Sequence, residues 1–378
     1  MKKNKLHLAP YLLALSLLLT SCSSDSGTTP SDSTPTTTPE TTQTDDVVVT
    51  PVASFPVTFT DQGGHDVTIE EAPLNIAMAG LPPFSSFFIQ FTGNTDLIAC
   101  MPGGSLTYPD WIERVFPDYS NIHLEGMGPN YEVEAILALE PDLIICTTGM
   151  EENYQIFRET GIPTVGLSST ADGIVTVSTA NGWITLLGDI FGETEKAAAI
   201  VENNNRLLAL VEEHSGAVET QLSGIMLPDY SENIIEISNN DYYGGYWLAT
   251  SGMDNVAKDV VGWETNMEEV IAFDPEVIYL SAFSAYEPSD LLNDTAVAGH
   301  SWSATTAGQN GAIYKFPVGL FNWYALSPDA AISMLWIASN AYPEQFADVD
   351  LNAEIKTHYS LFGIDLTDAE VENLLEQR

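Results

Sequence analysis

The side chains of this chain that could do chemistry are mostly aromatic and acidic; histidine, lysine and arginine are scarce. Six aromatic residues, Tyr108, Trp111, Tyr230, Tyr243, Trp247 and Trp323, fall in "MPGGSLTYPDW", "LPDYSEN", "NNDYYGGYW" and "GLFNWYA", segments placed at the carboxyl ends of predicted strands. Aromatic walls with a few hydroxyls between them suit a large, flat, partly apolar ligand held without covalent chemistry. These six are the ligand-binding candidates. The competing reading makes about half of them core, because tryptophan is usually well buried. Histidine offers little: His65 sits in a predicted hairpin, and His123, His214, His300 and His358 do not fall at predicted strand ends and read as single histidines on surface loops. No metal site is expected, since His and carboxylate ligands would have to converge. The chain has no GxSxG elbow, P-loop, GxGxxG after a strand or HExxH, and "GGHD" at Gly63 is a turn, so an enzyme is not expected.

Charge narrows the partners. The 378 residues carry 11 Lys plus Arg against 53 Asp plus Glu, a net charge of −42. Such a polyanion repels phosphate backbones, which argues against a nucleic-acid partner. The hydrophobic content of 44% supports a large core, and the length suggests two domains.

The first residues read as a targeting segment. "MKKNK" is a basic start and "LAPYLLALSLLL" is an apolar stretch too short for an ordinary spanning helix. "LTSC", Leu19 to Cys22, follows directly and resembles a bacterial lipobox, which implies that Cys22 is diacylated and becomes the mature N-terminus. Two acyl chains anchor stably where one does not. Residues 23–54 are rich in Ser, Thr and Pro and nearly free of apolar side chains before Val47. They bury too little to offset ordering entropy and read as a disordered tether.

From Phe55 onward the chain alternates strand and helix signals. "VTFTD" and "DVTI" form a predicted hairpin around "QGG"; "NIAMAG", "DLIACM", "DLIIC" and "PTVGL" read as strands separated by helices. This alternation implies a mainly parallel sheet covered on both faces. Cys100 and Cys146 each close a predicted buried strand and read as inert core thiols, with a disulfide left open. Between about Gly173 and Gly216 no strand is evident. A shorter helix ("VSTANGWITLLGDI") precedes a long one that carries Ala197, Ile200, Val201, Leu208 and Val211 near one stripe. Strand signals then resume in "SGIMLPD", "NIIEIS", "EVIYLS" and "AIYKFP"; Ser327 is a candidate N-cap, and Thr367 and Glu370 form a capping box. "YEVEAILALEPDLII" and "NMEEVIAFDPEVIY" repeat one another at a constant offset, with Glu134 on Glu268, Ala138 on Ala272, Pro141 on Pro275 and Ile144 on Ile278. The expected organisation is a signal peptide (1–22), a tether (23–54), an N-terminal α/β lobe (55–172), linking helices (173–216) and a C-terminal α/β lobe (217–378). The fold class is α/β, two Rossmann-like lobes joined by one long helix.

With these features together, the chain resembles the class III solute-binding proteins of ABC importers, which bind iron chelates, haem and cobalamin. The resemblance runs from about Phe55 to Phe346. It includes "DQGGHDVTIEEAP" (Asp61, Gly64, Val67, Ile69, Pro73), both repeat copies, "GYWLATSGMDNVAKDV" and "NWYALSPDAAISMLWIASNAYPEQF". It implies a lipid-anchored monomer on the outer face of a bacterial cytoplasmic membrane. Its cargo would be an iron chelate, haem or corrinoid held between the lobes, with no resident cofactor and an ABC permease dimer as partner. In that family a glutamate at the start of this helix in each lobe docks on the permease; by residue match these are Glu134 and Glu268. Two departures stand out. Leu74 and Asn75 follow the hairpin proline where the family often has basic residues. Arg114 and Arg158 are the only arginines of the first lobe, few for a trianionic ferric chelate. Molybdate or tungstate is the alternative cargo, because backbone N–H groups at helix N-termini ("GLPPFSS", "MPGGS") can hold an oxyanion without arginine. A tethered adhesin is the remaining reading. The lipobox yields a direct test: Cys22→Ala should abolish acylation and release the protein from membranes or leave it unprocessed, as read by metabolic labelling with a fatty acid and by fractionation.

Overall fold

The computed structural model describes residues 54–103, 123–125, 132–171 and 173–376, with residues 123–125 as backbone alone. The expected signal peptide and its Cys22, almost all of the tether, and the ligand candidates Tyr108 and Trp111 lie outside the described residues.

The body opens with an antiparallel hairpin, β1 (Val57–Thr60) and β2 (Asp66–Ile69), paired Val57 to Ile69. Asp61 fastens the turn. Its Oδ1 accepts the N–H groups of Gly63 and His65, and its Oδ2 accepts the Tyr154 hydroxyl at 2.5 Å and the Gly166 N–H at 2.7 Å. The hairpin is thereby tied to the last strand of the first sheet.

That sheet is wholly parallel, in the order β5 (His123–Glu125), β4 (Ile98–Pro102), β3 (Ile76–Ala79), β6 (Leu143–Thr147), β7 (Thr164–Leu167). Its described crossovers include α1 (Pro82–Thr92), α2 (Val133–Leu137) and α3 (Glu151–Glu159). Strands β3, β6 and β7 are buried throughout, as strands covered on both faces must be. Cys100 on β4 and Cys146 on β6 are buried thiols with β3 between their strands. Burial, with the charge of Asp61 adding to it, pushes the Cys146 thiol up to about 12, so it is inert.

Two helices carry the chain onward: α4 (Val177–Phe191) and the 22-residue α5 (Thr194–Ser215). On α5 the buried stripe is Ala197, Ile200, Asn203, Asn204, Leu207 and Val211; the expected Val201 and Leu208 are only half-buried. The second parallel sheet has the order β11 (Asp254–Asn255), β8 (Ser223–Leu227), β13 (Val277–Leu280), β14 (Ile313–Lys315). Helices α6 (Tyr243–Thr250), α7 (Met267–Phe273), α8 (Pro288–Leu292) and α9 (Thr306–Asn310) accompany it, and α10 (Ala330–Ala341), α11 (Leu351–Ser360) and α12 (Asp368–Glu376) close the chain. The capping box before α12 forms, with Thr367 and Glu370 bonded reciprocally. The segment "NIIEIS" does not join the parallel sheet. It supplies β10 (Ile234–Glu236) to a small antiparallel sheet between β12 (Glu264–Thr265) and β9 (Tyr230–Ser231). Only Glu232 and Asn233 separate β9 from β10, which is long enough for a hairpin and far too short for a parallel crossover.

The repeat is deeper in the backbone than in the letters. In each copy the residue directly before the proline is acidic and has positive φ, Glu140 (51°) and Asp274 (44°). Each then uses a carboxylate just after the proline to start the central strand of its sheet. Asp142 accepts the N–H groups of Leu74 and Asn75 before β3, and Glu276 accepts the N–H of Ser223 at the head of β8. Backbone bonds return from Asp142 to Asn75 and from Glu276 to Ser223, both at 2.9 Å.

A buried carboxylate ties the two halves together. Asp329, immediately before α10, is fully buried. Its Oδ1 lies 3.1 Å from Gln90 Nε2 on α1 and 3.0 Å from His358 Nε2 on α11. Its Oδ2 accepts Trp323 Nε1–H at 2.8 Å and the Tyr359 hydroxyl at 2.9 Å. Two expectations are corrected here. Ser327 does not cap α10; its buried hydroxyl has no hydrogen-bond partner, and Asp329 takes the position before the helix with its side chain turned to these donors. His358 is no surface histidine but a buried member of the cluster. Asp329→Ala should cost about 3–5 kcal/mol, because it orphans several buried donors at once. Asp329→Asn should cost less. Urea denaturation of the intact chain measures both.

Candidate functional site

Among the described residues, one pocket is built from segments that follow both sheets. Thr170, Gly173, Ile174 and Val175 come from the segment between β7 and α4; Asn240, Asp241, Tyr242, Tyr243 and Tyr246 come from the start of α6. Its volume is about 270 Å³. It lies beyond the carboxyl end of β7, where open α/β sheets hold ligands.

Local chemistry holds each wall in place. On the first side, Ala171 and Ile174 pair as a bridge, and Thr179 Oγ1 accepts the N–H groups of Ala171 and Thr176. Thr176 and Thr179 form the capping box of α4, so the helix that links the lobes also fixes this rim. On the second side, Asn239 Oδ1 accepts the Asp241 N–H, and Asn239 Nδ2 donates to the carbonyls of Val260 and Gly262. Asn255 Nδ2 donates to Ser238 O and to Asn240 Oδ1. Gly244 and Gly245 are required here: a Cβ would come within 2.4 Å of Ser238 Oγ at the first and 2.5 Å of Asn239 O at the second.

The second wall is aromatic. The Tyr242 ring meets Trp263 edge-on with centroids 3.5 Å apart, and Tyr243 packs 5.0 Å from Tyr324. Tyr324 is buried and its hydroxyl lies 2.7 Å from Ser238 Oγ. Burial, reinforced by neighbouring Tyr242, pushes the Tyr243 phenol up to about 12, so it stays neutral and can donate a hydrogen bond. Ile174 and Trp263 are exposed hydrophobic side chains, 55% and 41% accessible, which is what an open ligand cleft leaves bare.

The structure separates the described aromatic candidates. Tyr243 lines the pocket. Tyr230, Trp247 and Trp323 are fully buried and belong to the core. The Tyr230 hydroxyl accepts Trp302 Nε1–H and contacts His300, Trp247 Nε1–H is donated to Tyr324 O, and Trp323 reaches Asp329. Sequence reasoning missed Tyr242, Tyr246, Trp263 and Ile174. Tyr243 and Trp247 are four residues apart and share a face of α6, so what separates them is depth: Tyr243 is half-buried at the pocket, and Trp247, one turn on, is fully buried. Glu134 and Glu268 are both exposed, and each is the second residue of its helix, α2 and α7. Among the described residues, no three His, Cys, Asp or Glu side chains group to hold a metal ion.

Residues 124–318, just over half of the chain, match the family model of the periplasmic binding proteins. The chain belongs to this family. Its two parallel α/β lobes and linking helices are the class III form of the fold. The molybdate-binding protein MolA of Haemophilus influenzae is 21% identical over 339 residues, covering 84% of this chain and 91% of its own. The crystal structure of a periplasmic solute-binding protein from Veillonella parvula superposes with a TM-score of 0.75 at 25% identity, over 84% of this chain and 96% of that one. The Helicobacter pylori protein CeuE, solved as a Ni–His complex, has a TM-score of 0.65 at 22% identity, over 85% and 99% of the two chains. The binding protein is thus of the ABC-transporter type, and its family works outside the cytoplasm. Within it, aromatic residues should divide by burial. Trp247→Ala and Trp323→Ala should each cost about 3–5 kcal/mol of stability. Trp263→Ala should cost about 1 kcal/mol or less and instead weaken ligand binding. Denaturation curves beside binding isotherms of the same variants distinguish the two groups.

Proposed function

We propose that this chain is the substrate-binding component of an ABC importer, anchored through Cys22 to the outer face of a bacterial cytoplasmic membrane. It captures a metal chelate (an iron chelate, haem or corrinoid) between its lobes and delivers it, as a monomer, to a permease dimer. The observation that carries this reading is the pocket itself: Thr170, Gly173, Ile174 and Val175 come from the segment after the first sheet, and Asn240, Asp241, Tyr242, Tyr243 and Tyr246 from a segment between strands of the second half, so a ligand there touches both. The aromatic wall of Tyr242, Tyr243 and Tyr246 suits a planar ligand better than a bare ion.

An oxyanion cargo is the second reading, favoured by the likeness to a relative named for molybdate. One observation weighs against it: the segment "GLPPFSS" opens α1 with Pro82 and Pro83, which have no N–H to offer an anion.

Glu134 and Glu268 are the proposed docking contacts, one acidic knob per lobe for the two equivalent subunits of a permease. Replacing both with Lys should stop uptake by cells while leaving ligand affinity unchanged; both to Ala should do less damage, since Lys adds repulsion to loss. Each lost contact is worth about 1–3 kcal/mol, and single changes should be partial. Glu132→Ala and Glu269→Ala are the controls. Glu269 is already engaged, accepting the Thr265 hydroxyl at 2.7 Å. Normal uptake by the double variant, or equal damage from the controls, would reduce the pair to ordinary charged surface.

A further inference from the structure

The cleft has a charge of its own. Among the described residues lining the pocket, Asp241 is the one charged side chain. Behind the aromatic wall, Glu236 and Glu264 face each other directly across the β10–β12 pair. Like charges in that position are destabilising unless something offsets them. The Glu236 N–H is bonded to Asp229 O, which brings a third acidic residue to the same strand end. Burial, with Asp229 and Glu264 adding to it, raises the Glu236 carboxyl above its ordinary range. Glu264 directly follows Trp263, whose ring meets Tyr242, and Glu236 lies across the strand pair from it, so the pair sits beside the pocket wall.

Every described cation is committed elsewhere. Arg158 lies over the Tyr154 ring, and Lys196 is held by Phe91 O and Glu193. Arg206 pairs with Glu354, Lys258 with Asp254, Lys315 with Glu287 and Lys356 with Asp368. None of these six lines the pocket. The walls therefore combine ring faces with carboxylates and lack a described positive partner. Aromatic faces attract cations through the ring quadrupole, and more strongly where water is excluded.

We propose, resting on the cleft reading above, that the pocket selects a positively charged planar solute, a cationic metal chelate or cationic macrocycle, and rejects anions. The ring system would lie against Tyr242, Tyr243 and Tyr246 with Ile174 opposite, and the positive charge would be held by Asp241 and the Glu236–Glu264 pair.

The test uses the full chain in detergent and two probes on one corrin ring: diaquocobinamide, a cation, and dicyanocobinamide, its uncharged counterpart. Molybdate and ferric citrate serve as anions. The cation should bind about ten-fold or more tightly than the uncharged ring, Glu236→Gln with Glu264→Gln should remove that margin, and neither anion should bind. Equal affinity for the two cobinamides, or preferential binding of an anion, overturns the charge assignment. Arg114 lies outside the described residues, so Arg114→Gln is included; anion binding that disappears with it overturns the assignment in the same way. An anion whose binding is weakened by Ile174→Asp or Tyr243→Ala would overturn the charge assignment and leave the cleft reading standing. A probe indifferent to both substitutions would remove the cleft reading and the charge assignment with it. A ligand-free arm reads the field directly, as the difference in tryptophan quenching between the intact chain and Trp263→Phe. Caesium should quench Trp263 more strongly than iodide, and Glu236→Gln with Glu264→Gln should narrow the gap; equal quenching by the two ions overturns the proposal.

Discussion

The Asp329 carboxylate is the constraint on which the arrangement of the cleft depends. A buried anion is costly unless donors surround it, and here each oxygen has two partners, drawn from α1, α11 and the segment before α10. Satisfying them fixes Gln90 from the first sheet's crossover against helices that follow the second sheet. It also fixes Trp323. The next residue, Tyr324, accepts Trp247 Nε1–H at its carbonyl, meets Ser238 at its hydroxyl and packs on Tyr243 at its ring. The hub thus reaches the pocket through contiguous contacts, and Trp247 and Trp323 are the backing behind Tyr243, whereas Tyr230 belongs to a separate core cluster with Trp302 and His300. Gly319 belongs to the same economy, since a Cβ there would lie 2.4 Å from Asp329 Oδ2.

The repeat adds a second constraint, independent of the first. A parallel sheet needs each strand started at a defined height, and both lobes solve this with the same device. A carboxylate follows the helix-ending proline and accepts N–H groups at the head of the central strand, Asp142 in one lobe and Glu276 in the other. Asn75 and Ser223, the residues they hold, are equivalent in register: each directly precedes the first residue paired to the strand that follows the carboxylate, Ile76 on β6 and Gly224 on β13. Glu134 and Glu268 stand at equivalent helix positions as a consequence of this geometry, and a permease with two equivalent subunits would meet equivalent surfaces.

Much of this was legible in the sequence. Strands β3, β6, β7, β8 and β13 are runs of apolar residues bounded by polar or turn residues, and burial on both faces leaves that signature. The linking helices were readable from length and periodicity, although the stripe on α5 is filled partly by Asn203 and Asn204, which no apolar count would select. Asn204 is buried because its amide donates to Asn181 on α4, a pairing between helices that sequence spacing does not reveal. The two-residue β11 and the hairpin role of "NIIEIS" were hidden for a different reason: short strands are defined by their partners more than by their own residues. The aromatic residues were the hardest. Tyr243 and Trp247 sit one turn apart on the same face of α6, and only the packing of surrounding elements leaves the first half-buried at the pocket and the second fully buried.

The scarcity of positive charge links fold to function. With 11 basic residues against 53 acidic ones, each lysine or arginine is valuable as structure. Arg206 ties α5 to α11 through Glu354, Lys196 ties the start of α5 to the end of α1, and Lys315 ties the end of β14 to the residue before α8. These bonds join separate elements, so these cations serve the frame. Among the described residues, no lysine or arginine lines the pocket to pair with a cargo. What lines it is ring faces, hydroxyls, backbone groups and the Asp241 carboxylate, and the proposed positively charged ligand is the kind such groups would recognise.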